Sequence, residues 1–179
     1  MQRRSFLSLV STAASAAACG QPLTHNSPAL IHPVLSGEDR LEEAHSLGIT
    51  SIAFKVLTRE TNGELFIIEH TTHQKGGPPH HIHPHQDEWF YVMEGQFLFE
   101  VAHDRVTLRP GGSILAPRNL PHAWAFVGNN GGKMLISYTP AGKMEAFFRE
   151  VTKSNSMPSQ DKALFEKFDL ILTGPPLLI

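Results

Sequence analysis

Two histidines that flank a single residue, His81 and His83, stand shortly before a glutamate, Glu88. In an extended strand, residues two apart face the same way, so these two imidazoles can aim at one point. Pro84 cannot continue a central strand, and His85-Gln86-Asp87 suit a turn. A returning strand then brings Glu88 beside the pair. His85 shares the parity of His83, so parity alone also leaves His83 with His85 open as a pair. One hairpin donates from one side only, and a further ligand has to come from elsewhere. The stretch from Pro110 to Pro121 offers it: a Gly-rich turn, a short strand, a second turn, then His122 opening HAWAFV. Imidazole with carboxylate favours borderline first-row metals over calcium or magnesium. The chemistry to expect is that of a single divalent ion acting as a Lewis acid. Composition agrees, since six of the 11 histidines fall between His70 and His85, a local density that points to metal.

The elements that must position these residues are short strands. From Ile49 onward ITSIAFKVL, ELFIIEH, EWFYVM, QFLFEVA, RVTL, SILAP, HAWAFV and KMLISYT are separated by Gly, Asn and Pro turns. That pattern indicates an all-β sandwich or barrel. If His122 faces inward, so do Trp124 and Phe126; if Glu88 does, so do Phe90 and Val92. Phe97, Phe99 and Val101 alternate against Glu100, and His70 shares a face with Phe66 and Ile68. An apolar, aromatic-lined pocket at the metal is expected, with Phe90, Phe99, Trp124 and His70 as its candidate liners. Met144, Phe147, Phe148 and Val151 stand at i, i+3, i+4 and i+7, one face of a helix, and Leu164, Phe165 and Phe168 hint at a second. Both helices are expected outside the strands. A short helical turn is expected around Leu41–Leu47.

These segments resemble the paired motifs of the cupin superfamily, G-x5-HxH-x3,4-E-x6-G and G-x5-P-x-G-x2-H-x3-N. His81, His83, Glu88 and Gly95 match the first, with Gly76 or Gly77 closer than usual as its leading glycine. Gly111, Pro117 and His122 match the second. Asn119 stands for a glycine, and asparagine also tolerates positive φ; Phe126 stands for the final asparagine. The family spacing favours His81 with His83 over His83 with His85. The chain is similar to single-domain bacterial cupins of the quercetin 2,3-dioxygenase-like group over about residues 37–152. The resemblance implies a double-stranded β-helix (jelly-roll) barrel with one or two short C-terminal helices. It implies His81, His83, Glu88 and His122 as ligands of one Mn, Fe, Co, Ni, Cu or Zn ion, with Glu88 also serving as base once substrate is bound. The activity it implies is a dioxygenase for a small aromatic or enolic compound. An oxygen-independent isomerase or lyase, or a non-catalytic metal or small-molecule binder, are the alternatives. A homodimer is common among similar proteins.

Apolar residues make up 41% and charged residues 18% of the 179, with net charge −2. That balance can bury a core and lacks the concentrated positive surface nucleic acid requires. Residues 1–18 read as an export signal: Arg3-Arg4-Ser5-Phe6-Leu7 resembles a twin-arginine motif, and the apolar stretch that follows is too short to span a membrane. Ala16-Ala17-Ala18-Cys19 looks like a lipobox, making Cys19 a candidate lipidation site and the one route to a membrane. Cys19 is the chain's single cysteine, so no intrachain disulfide forms. The expectation is an exported protein, periplasmic or membrane-anchored, with 19–36 as linker or arm, 37–152 as the barrel and 153–179 as a C-terminal helical extension.

Overall fold

The computed structural model describes residues 32–155 and 160–179; the leader and Cys19 lie outside them. Eleven strands are described: β1 (His45–Ser46), β2 (Thr50–Val56), β3 (Phe66–Thr72), β4 (Pro79–Ile82), β5 (Asp87–Glu94), β6 (Phe97–Val101), β7 (Asp104–Leu108), β8 (Ser113–Ala116), β9 (His122–Phe126), β10 (Gly132–Thr139) and β11 (Ile171–Pro176). Helices α1 (Met144–Val151) and α2 (Lys162–Lys167) lie between β10 and β11. Among the described residues, no helix is long and apolar enough to cross a membrane.

The strands form two antiparallel sheets, one ordered β1-β2-β3-β10-β5-β8 and the other β11-β4-β9-β6-β7. The expected barrel is corrected here, because neither sheet closes: β1 and β8 end the first, β11 and β7 end the second. Alternation of apolar and polar residues is the same in an open sheet and a closed one, so it carries no information about closure. The edges themselves resist pairing. β1 has two residues, β8 has four, and β7 is exposed along most of its length and bears Asp104 and Arg105; short or charged strands are how sheets end without recruiting another.

The core lies between the sheets. Alternate residues of β3 (Phe66, Ile68) and β10 (Met134, Ile136) face Phe97 and Phe99 of β6 and Phe126 of β9, all nearly or wholly buried. The Phe90 and Phe99 rings, one from each sheet, meet at 5.0 Å. The opposite face of β9 is also covered, with Ala123 and Ala125 packed under Leu177.

Helix α1 buries the stripe read from the sequence, Met144, Phe147, Phe148 and Val151, each worth about 1.5–3 kcal/mol when fully buried. Asp161 caps α2, accepting hydrogen bonds from the Ala163 and Leu164 amides, a contribution of about 1 kcal/mol. The helical turn expected near Leu41–Leu47 is replaced by a loop and β1. There the Asp39 carboxylate accepts from the amides of Leu41 and Phe54 and ties the loop to β2.

Candidate metal centre

Three strands from both sheets deliver the ligands. His81 lies on β4 with His83 just beyond its end, Glu88 is on β5, and His122 opens β9. β4 meets β9 at a single register pair, His81 with His122. Two turns hold the segments together. The Asn119 amide donates to the His83 carbonyl at 2.9 Å, with Asn119 at φ 66°. Asp87 accepts from both the Arg118 amide and its guanidinium, each at 2.8 Å.

All four side chains are buried, and one ligand atom from each lies within 4.8 Å of the others. Glu88 Oε2 is 2.8 Å from His122 Nε2, 3.1 Å from His83 Nε2 and 3.8 Å from His81 Nε2. In two of the rings the other nitrogen is held by backbone: His81 Nδ1 is 2.8 Å from the Pro79 carbonyl and His122 Nδ1 is 3.1 Å from that of Leu120. An Nδ1–H donating to these carbonyls leaves Nε2 for a metal.

His83 supplies the test of fit. It is 1% exposed, and neither ring nitrogen has a hydrogen-bond partner; the 3.1 Å approach to Glu88 is too poorly aligned to be one. Leaving buried polar atoms unmatched costs about 1–3 kcal/mol, and an ion at the common centre would satisfy Nε2. Three imidazoles and a carboxylate fit one divalent first-row transition metal, and the buried cluster forms a single site for it.

Electrostatics point the same way. Burial opposes ionisation of Glu88, but the hydrogen bond from His122 and the facing His81 and His83 rings outweigh it and hold the carboxyl well below its usual range. Burial pushes His81 down to about 4 despite Glu88, keeping it a neutral ligand. His122 is raised from 6.5 because its bond to Glu88 overcomes burial. A metal must therefore displace a proton from His122. Zinc affinity is expected to weaken with falling pH from a point above 6.5, the ordinary imidazole value. Calorimetric titrations between about pH 5.5 and 8.5 check this; a flat profile contradicts it.

The cluster opens onto a narrow cavity through His81 and Glu88. His81 and Glu88 border it together with Ile68, Ile136 and Trp124 from the sheets and Met144, Phe147 and Phe165 from the helices. Of the four expected liners, His70 and Trp124 border the cavity. Phe90 and Phe99 do not. They pack against one another in the core, because facing inward places a side chain between the sheets without deciding at which level the space remains open. His80 bonds Pro175 and Glu100 instead of joining the cluster, and His85 and His73 are exposed.

Tyr138 was not singled out by its sequence. It pairs with Glu88 across β5 and β10 and borders the cavity. Burial and the negative Glu88 push its phenol well above the ordinary value, so it stays an O–H donor. Its inward parity with Met134 and Ile136 was readable; the register that sets it opposite Glu88 was not.

A family model described as Cupin domain matches residues 67–138. No curated protein matches the chain by sequence. Among solved structures, KdgF from Halomonas sp. is 18% identical, with a TM-score of 0.49 over 55% of this chain and 86% of that one. An RmlC-like cupin from Shewanella frigidimarina is 22% identical, with a TM-score of 0.49 over 57% and 87% of the two chains. A recombinant oxalate oxidase in complex with glycolate is 20% identical, with a TM-score of 0.51 over 68% of this chain and 65% of that one.

Proposed function

We propose that this chain, a member of the cupin superfamily, is a metal-dependent dioxygenase acting on a small aromatic or enolic compound. The observation that carries this reading is the buried His81-His83-Glu88-His122 cluster, two of whose members border a cavity with mainly apolar and aromatic walls. Such walls suit a flat ligand, exclude water and strengthen every polar contact inside. The ion, when bound, supplies Lewis acidity and open positions at which substrate oxygen can be held. Glu88, beside the ion, is placed to take up the proton that a phenol or enol releases once the substrate is bound. Tyr138, held neutral beside it, donates a hydrogen bond to substrate oxygen. Both atoms of dioxygen enter the product, and the electron-rich substrate reduces them, so no separate reductant is required.

The leader motifs support export, with Cys19 as a lipid anchor on the outer side of the cytoplasmic membrane. Folding around the ion before export would let the site select its metal in the cytoplasm.

Oxygen uptake tests the reading. Protein loaded separately with Mn, Fe, Co, Ni, Cu or Zn is mixed with a catechol and flavonol panel in an oxygen-electrode cell. With at least one metal, oxygen consumption matching product formed is expected, with loss of at least about a hundredfold in rate for Glu88→Gln. Turnover without oxygen loss replaces the dioxygenase with an isomerase or lyase. Thermal shifts on ligand addition without turnover replace it with a binding protein.

A further inference from the structure

Away from the ligand cluster, the cavity contains a second polar group that the proposed chemistry does not use. His70, on β3, is 3% exposed and borders the cavity, and its Nδ1 is buried with no hydrogen-bond partner. Its register neighbours are Ile52 on β2 and Met134 on β10, neither of which offers a matching polar side chain. The imidazole meets the Trp124 ring edge-on, with centroids 4.8 Å apart and planes at 78°. An unmatched buried nitrogen at an apolar wall is costly, and this ring is held there by packing rather than by hydrogen bonding from Nδ1.

Strand register places His70 relative to the metal centre. Tyr138 stands opposite Glu88, whereas Met134 stands opposite His70, four residues along the same strand. At about 3.4 Å per residue the two levels are roughly 14 Å apart, a span that side chains projecting inward shorten. No lysine or arginine is among the residues that border the cavity, so an ionised ligand group beside His70 would be buried without a counter-charge. Burial also pushes His70 down to about 4, leaving its ring neutral. A hydroxyl both donates and accepts, and so matches a neutral imidazole in either tautomer.

We propose that His70 is the second anchor of this cavity: its imidazole hydrogen-bonds a neutral hydroxyl at the far end of a flat, two-ring aromatic substrate whose near end lies at Glu88 and the histidine cluster. This rests on the aromatic-substrate reading above and adds the length of the substrate and the chemistry of its remote end. Trp124 fixes the imidazole by its edge contact and supplies an apolar surface beside the far ring.

Two probes that differ by one remote hydroxyl decide it, 4-phenylcatechol and 4-(4-hydroxyphenyl)catechol. Their dissociation constants are measured by calorimetry on zinc-loaded and on metal-free protein, where no oxygen chemistry contributes. The hydroxylated probe is expected to bind wild type about tenfold more tightly in both forms. His70→Leu is expected to abolish that preference, leave affinity for 4-phenylcatechol within about twofold, and raise Tm by about 3 °C as the unmatched nitrogen is removed. His70→Phe keeps a ring against Trp124 and gives a second measurement of the same loss should the leucine variant fold poorly. A wild-type protein without the preference overturns the proposal, as it would if a trapped water already satisfied the ring. Persistence of the preference in the variants overturns it too, and so does failure of both probes to bind. Absence of oxygen uptake with intact hydroxyl selectivity removes the dioxygenase and leaves the His70 anchor standing.

Discussion

Replacement of His122 by alanine is expected to lower metal affinity by more than about a hundredfold, while His80→Ala leaves metal content unchanged. His122 is the ligand from the second motif and lies in closest contact with Glu88, 2.8 Å from Oε2. Without it, the remaining ligands all come from one short segment, His81 to Glu88, which passes from β4 in one sheet to β5 in the other. The carboxylate also loses the neighbour that does most to keep it ionised against burial. A buried charge deprived of its partner is destabilising by several kcal/mol, so the variant should also unfold earlier in the absence of metal. His80 is adjacent to His81 in sequence, but its ring bonds the Pro175 carbonyl and Glu100. Elemental analysis of the purified variants measures occupancy. Thermal unfolding with and without added zinc gives the independent readout: wild type gains stability from the ion, His80→Ala gains nearly as much, and His122→Ala gains none. Equal metal content in wild type and His122→Ala would remove the assignment.

Gly77→Ala is expected to damage the same centre without touching a ligand. A Cβ at Gly77 would lie 1.8 Å from the Trp124 carbonyl oxygen, 2.8 Å from its carbon and 3.0 Å from the Ala125 Cα. All three are backbone atoms, so no side-chain rotation relieves the clash. The segment leading into β4 would have to withdraw from β9. The Gly76–Phe126 bridge lies next to the clash, and β4 and β9 are joined downstream by the His81–His122 pair alone. Overpacking costs about 1–3 kcal/mol, which at this size lowers Tm by about 3–10 °C; with backbone on both sides the upper part of that range is expected. Metal affinity should fall as well, because the displaced strand carries His81. Gly174→Ala is the control. Its added carbon meets the nearest atom, His80 Cβ, at an ordinary 3.6 Å, and its Tm should stay within about 1 °C of wild type.

The ligand set was legible because it depends on short-range geometry. Two-residue parity orients His81 and His83, a turn returns Glu88, and a motif match supplies His122. The α1 stripe was legible for the same reason, since i, i+3, i+4 and i+7 define a helix face wherever the helix is placed. Features that depend on partner choice were not. Whether the sheets close is decided by the pairing of their edges, and the alternation of apolar and polar residues does not encode it. Tyr138 gains its meaning from register against Glu88. Phe90 and Phe99 have inward parity but fill the core, whereas Phe147 and Phe165, read only as helix packing, border the cavity. Strand β11 was not anticipated, because ILTGPP contains two prolines and a glycine and reads as a tail. It is tolerated as an edge strand, paired with β4 through Ile171–Ile82 and Leu172–His81 and again at Pro176–Pro79.

That last pairing gives the C-terminal residues an influence their sequence conceals. The strand that presents His81 has β11 along one border and only a single pairing with β9 on the other, and Leu177 supports β9 from behind. Trimming these residues, or loading them with a bulky fusion partner, would loosen the scaffold of two of the three imidazoles at once. A purification handle at this terminus is therefore a perturbation of the metal centre, and one placed upstream of Gly37 is the safer choice.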